Sequence, residues 1–121
     1  MFDISTYENA TTEKWKIKLI NDIEIPTEKE EMLELANIAN DKMFKERIEI
    51  QKAWMNILNK IYINAKESFI DSNEYLMIKK IYKKSKRKYL VNRYIILISI
   101  FIFLILVFLL MCIMHIMGSL D

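Results

Sequence analysis

The chain has 121 residues, with eighteen Lys and Arg, sixteen Asp and Glu, one His, one Cys, one Gly and one Pro, and a formal net charge of +2. One domain is the ceiling at this length. A lone Gly rules out a phosphate-cradling or dinucleotide loop, and a lone Cys rules out an internal disulfide framework or a cysteine zinc site. The apolar fraction of 53 % is above the soluble range, and the scarcity of Gly and Pro disfavours an all-β domain. The expectation is an all-α, membrane-attached protein. It is not expected to be an enzyme or to use a cofactor, a metal, a small-molecule substrate or nucleic acid.

Residues 1–26 read as a short N-terminal helical region. Ser5 with Glu8, and Thr27 with Glu30 just after Pro26, are possible capping boxes. Between them an amphipathic helix is expected over about 7–20, carrying Trp15, Ile17, Leu19 and Ile20. The chain should break around Asn21–Pro26.

Residues 27–78 read as a long cytosolic helix, amphipathic or coiled-coil. No Gly or Pro occurs between Pro26 and Gly118. One soft point is IDSNE at 70–74, where Asp71 and Glu74 would permit a turn and a second helix. A single long helix, interrupted or not, is favoured over a compact hairpin. Alternating steps of four and three pass through Met32, Ala36, Ala39, Met43, Glu46, Ile50, Ala53 and Ile57. All but Glu46 are apolar, which fits a helix-packing seam. Steps of four then reach Ile61, Ala65 and Phe69, a stutter that would locally unwind a supercoil. The seam residues Met43, Ile50, Ile57, Ile61, Ala65 and Phe69 therefore point either to pairing with other helices or to a small bundle within this chain. A lone striped helix does not bury its face, so one or the other is needed.

Charge divides the chain. Residues 1–78 carry ten bases and fifteen acids. Residues 79–93 carry Lys79, Lys80, Lys83, Lys84, Lys86, Arg87, Lys88 and Arg93 and no acid. Such a linker can mark the cytoplasmic side of a span or bind acidic headgroups.

Tyr94 to Met117 is a run of 24 residues without a charge. As a helix it is roughly 36 Å long, enough to cross a bilayer with some tilt. The basic linker places residues 1–93 in the cytosol, where the Asn9 sequon would stay unmodified. Four residues, Gly118 to Asp121, follow the run, so a tail anchor inserted after synthesis is expected. Cys112 and His115 lie near the far end. The first reads as apolar packing, the second as a polar tip reaching the interface.

This layout resembles that of the SNARE proteins: a cytosolic helix, a short basic linker and a C-terminal anchor. SKRKYLVNRYIILISI at 85–100 is similar to SNARE juxtamembrane segments, where basic residues and an aromatic meet the bilayer. SNARE helices carry apolar layers interrupted by a central polar one, usually Gln or Arg. The resemblance makes Gln51, the sole Gln, the candidate polar layer. Steps of four and three from it give Met55, Leu58, Tyr62, Ala65 and Phe69, with Leu76 further on. Upstream, Ile48 and Phe44 fit, while Asp41, Asn37, Glu34 and Glu30 depart from the pattern. A shifted seam through Met43 and Ala39 places Glu46 in a layer. The resemblance implies vesicle docking and fusion by zippering with other coiled-coil helices, and a place in the secretory or endomembrane system. The alternative is a self-assembling structural or scaffold membrane protein of viral or organellar origin; the rich use of Ile, Lys and Asn points to an AT-rich genome.

Overall fold

The structure, a computed structural model, describes residues 2–120. Asp3 starts the first helix. Its carboxylate accepts from the amides of Ser5 and Thr6 and from the Thr6 hydroxyl at 2.8 Å. This satisfies donors that have no partner inside a helix. The same Thr6 hydrogen bonds hold the Asp3 carboxyl below its ordinary value. The helix, α1, runs Ile4–Glu8. Thr12 then caps α2, Glu13–Asn21, by accepting from the amide of Trp15 at 3.2 Å. The single helix expected over 7–20 is thus two. Neither expected capping box forms the cap: Ser5 lies inside α1, and α3 follows Glu28 rather than Thr27.

The long helix expected from Thr27 is also divided, into α3 (Lys29–Met43), α4 (Ile48–Phe69) and α5 (Asn73–Leu120). The chain turns at 44–47 and at 70–72. At the first turn the amides of Lys45 and Glu46 reach back three residues, to the carbonyls of Lys42 and Met43. This tightens the end of α3. At the second turn Ser72 donates to the carbonyl of Phe69 at 2.8 Å and accepts from the amide of Tyr75 at 3.1 Å. The hydroxyl, not Asp71, caps α5. No Gly or Pro is needed at either turn. Folding back lets one apolar stripe bury against another, which a straight helix cannot do in water. Among the described residues the chain is all-helical.

Two compact units divide the chain, one up to Tyr89 and one from Leu90. In the first, α3 and the start of α5 run parallel. Lys29 lies 3.8 Å from Glu74, the Ser85 hydroxyl donates to Asn40 Oδ1 at 2.7 Å, and Lys88 Nζ sits 4.4 Å over the Phe44 ring. α4 runs antiparallel to both: Tyr62 stacks on Tyr82 at 4.6 Å and on Tyr75 at 6.0 Å. Tyr82 also donates to Asn59 Oδ1 at 3.2 Å. The core joins Met32, Leu35, Ala36, Ala39 and Met43 of α3 to Trp54, Ile57, Leu58, Ile61 and Ala65 of α4 and Ile78 of α5. Ala36, Ala39, Ala53 and Ala65 keep side chains small along the buried face, while α5 meets the pair largely through tyrosines. Phe2 and Tyr7 hold α1 against Trp54, with ring centroids 5.6 and 5.4 Å from the indole. Edge-on contacts of this kind suit the ring quadrupoles. Ile20 tethers α2 in the same core.

The second unit is the remainder of α5. Its side chains from Tyr94 to Met117 are exposed apart from the half-buried Cys112. α5 is the one helix among the described residues long and apolar enough to cross a membrane, and none of its apolar window is covered by protein. This is consistent with a membrane protein. Asp121, the acid expected after the span, lies outside the described residues.

Candidate functional site

The seam residues are the first candidates. Met43, Ile50, Ile57, Ile61 and Ala65 are all buried within the first unit, and Phe69 packs partly against the same core. Their partners are other helices of this chain. The anomalous member of the seam, Glu46, marks the α3–α4 turn. A carboxylate cannot occupy an apolar layer without a partner, so its position in the heptad series was the sequence signal for a fold-back.

Glu46 anchors a polar network that sequence reasoning missed. Its Oε1 accepts from Lys16 Nζ at 2.7 Å and from the Tyr7 hydroxyl at 3.2 Å. The Tyr7 oxygen in turn accepts from the Trp54 indole at 3.2 Å. Burial, followed by the nearby Glu46 carboxylate, pushes the Tyr7 hydroxyl up to about 12. Two more ion pairs close the same corner, Lys42 with Glu8 and Arg47 with Glu13. The Glu8 hydrogen bond holds Lys42 above the ordinary lysine value. The network ties α1 and α2 to the α3–α4 turn. No local pattern announces it, because its members lie thirty or more residues apart.

Gln51, the candidate polar layer, sits beside this network and is 7 % exposed. Its Nε2 donates to the carbonyl of Glu46 at 2.9 Å, closing a backbone acceptor left free at the turn. Its Oε1 is buried without a hydrogen-bond partner. An unpaired buried amide oxygen costs about 1–3 kcal/mol.

The basic stretch occupies one length of α5. Lys80, Lys83, Lys84, Lys86, Arg87 and Lys88 are exposed and Lys79 is half-buried in the first unit; Arg93 is exposed in the second. None of the eight is among the ion pairs found in the described residues, all of whose bases lie between Lys16 and Arg47. Lys86 lies 5.6 Å over the Tyr82 ring, and Lys88 over Phe44 as above. Ser85 and Tyr89 turn inward, so every third or fourth residue anchors the helix and the bases between them face water.

Grooves also mark the surface of the first unit. One runs along α3 between Glu30, Glu34 and Asp41, with Leu33 and Ile38 at its floor. Another lies on α2 beside Trp15, Ile17 and Lys18, where the indole is 46 % exposed. The α4–α5 turn carries a third apolar patch of exposed Ile70, Leu76 and Met77. Among the described residues no three His, Cys, Asp or Glu gather where they could hold a metal. No known protein family, curated protein or solved structure matches the chain.

Proposed function

We propose that the chain is a single-pass, membrane-anchored scaffold that holds a folded helical unit at the cytosolic face and assembles through that unit's surface with further copies of itself. The observation that carries this reading is the closure of the seam. Ile57, Leu58, Ile61 and Ala65 are almost wholly buried inside their own unit, so they are not free to zip with other helices. What remains outside is the apolar tip of Ile70, Leu76 and Met77 and the grooves on α2 and α3. These are surfaces for docking between folded units rather than for helix exchange. The chain acts by binding, and the polar network at Glu46 serves to hold α1 and α2 in place. The eight bases before the span support a cytosolic N-terminal unit, and the length of the apolar span supports a secretory or endomembrane setting.

SNARE-like zippering in vesicle docking and fusion is the second reading, and Gln51 favours it. Its oxygen is unsatisfied in the closed unit, and a multi-helix polar layer would satisfy it. Zippering by this chain requires α3, α4 and α5 to separate first. Affinity capture of the full-length protein from detergent-solubilised membranes tests the two. Recovery of copies of itself, with a multiple of the monomer mass by light scattering, supports the scaffold. Recovery of three other membrane-linked helical proteins in a heat-resistant complex establishes zippering and overturns it.

A further inference from the structure

We infer that the α3–α4 turn and the basic stretch of α5 form one two-part surface for anionic phospholipid headgroups, so that the folded unit rests on the bilayer as well as being tied to it. The inference rests on the membrane reading above and adds to it a contact made by residues forty positions from the linker.

The argument begins with the parallel register of α3 and α5. Lys88 stacks over Phe44 at 4.4 Å, which places the turn after α3 at the same end of the unit as the last bases of α5. The turn carries Lys45 and Arg47, whose side chains are 69 % and 82 % exposed. Lys84 lies one turn before Lys88 on the same flank of α5, and Arg87 is beside it; all three are exposed. Two segments distant in sequence thus present five cations on one end of the unit.

The acids of this corner, Glu8, Glu13, Asp41, Glu46 and the exposed Glu49, are outnumbered only once α5 is included, when Lys16, Lys42, Lys45 and Arg47 are joined by Lys84, Arg87 and Lys88. Glu8 and Glu46 are engaged by Lys42 and Lys16. Asp41 reaches Lys45 only at 3.9 Å and Glu13 reaches Arg47 at 3.4 Å. Exposed pairs of this kind are worth little, so lipid phosphates can compete for both cations. No acid occurs from Lys79 to Arg93.

The occupant follows from tether length. Tyr94, where the apolar run starts, lies six positions after Lys88. Six residues reach at most about 22 Å in any conformation. The cationic end of the unit is therefore confined near the surface of the bilayer that holds the span. Lys and Arg side chains close to an anionic bilayer surface are drawn to its headgroups, which makes a lipid surface the fitting partner.

The test uses the full-length protein in bilayer discs of pure phosphatidylcholine and in discs with about a third phosphatidylserine, read by amide hydrogen exchange. The expected result is exchange slowed roughly tenfold at both 44–47 and 84–88 in the anionic discs. The slowing should vanish at about 1 M salt, where the Debye length falls to ~3 Å. The variant Lys45→Gln, an exposed side chain whose one ion pair is with the exposed Asp41 at 3.9 Å, should weaken it at the turn while its far-UV spectrum and melting stay unchanged. Equal exchange in both discs overturns the inference and leaves the membrane reading intact. So does slowing at 84–88 alone, which would mean that the linker acts without the turn. Failure of the protein to resist alkaline extraction from membranes overturns the membrane reading and the inference together.

Discussion

Tyr7 illustrates how much of this unit depends on single polar contacts. It is nearly inaccessible, donates to Glu46 and accepts from Trp54. Tyr7→Phe keeps the ring and loses both bonds, leaving the indole N–H and part of the Glu46 carboxylate without partners. A loss of about 1–3 kcal/mol in unfolding free energy is expected by denaturant titration. The hydroxyl also makes stability depend on pH. Its folded value is raised to about 12 from the ordinary 10.0. In the unfolded chain the proton is lost from about pH 10, whereas the folded chain retains it. The unfolded state then binds fewer protons, so stability contributed by the neutral hydroxyl is complete below pH 10 and is lost as pH rises toward 12. Tyr7→Phe should remove this component, so the stability gap between native and variant protein narrows between pH 9 and pH 12. Glu46→Ala removes the acceptor for both Lys16 and Tyr7. It should cost about 2–3 kcal/mol, and exchange at α1 and α2 should accelerate before that at α4.

At the scale of elements, the folding decision lies at the two turns. Ser72 supplies the N-terminal cap of α5, and Ser72→Ala should destabilise the first unit by about 1 kcal/mol. The Ala-lined face of α3 and α4 is the second determinant. Ala39 is fully buried, and Ala39→Leu would force the packed helices apart at a cost of about 1–3 kcal/mol, read as a lowered Tm of the full-length protein in detergent. The seam was legible as a seam because its spacing is helical. Its partner was not legible, since a stripe of Met, Ala and Ile serves a neighbouring chain and a neighbouring helix equally well. Glu46 carried the missing information: a charged residue in an otherwise apolar series is stable at a turn and costly in a layer. The division of the N-terminal region into α1 and α2 escaped because Asp3 and Thr12 compete with Ser5 as caps on near-equal terms.

The whole molecule combines a folded helical unit with an apolar helix that its own protein leaves uncovered. A charge in the middle of that helix tests its solvent. Leu104→Lys should cost about 3 kcal/mol of insertion free energy and shift the protein from the carbonate-resistant to the extractable fraction. If the helix served instead as a soluble packing element, fractionation would not change. The asymmetry of charge has the same whole-molecule meaning. Fifteen acids lie before Lys79, and eight bases lie between Lys79 and Arg93. Near the α3–α4 turn Glu8, Glu13 and Glu46 each pair with a base, while none of the bases from Lys79 to Arg93 is among the ion pairs of the described residues.

By itself the sequence determined the helical class, the apolar span and the basic stretch before it. Each is a local property: composition disfavours strands, an uncharged run longer than a bilayer is thick needs an apolar surrounding, and clustered Lys and Arg need anions or water. Only the tertiary structure decided what the seam packs against, that Glu46 lies at a turn, and that Lys45 and Arg47 share an end of the unit with Lys88. Those outcomes depend on contacts between residues thirty to fifty positions apart. Burial of an apolar stripe is rewarded equally by any matching surface, and the choice among surfaces is made by packing and turn geometry in three dimensions.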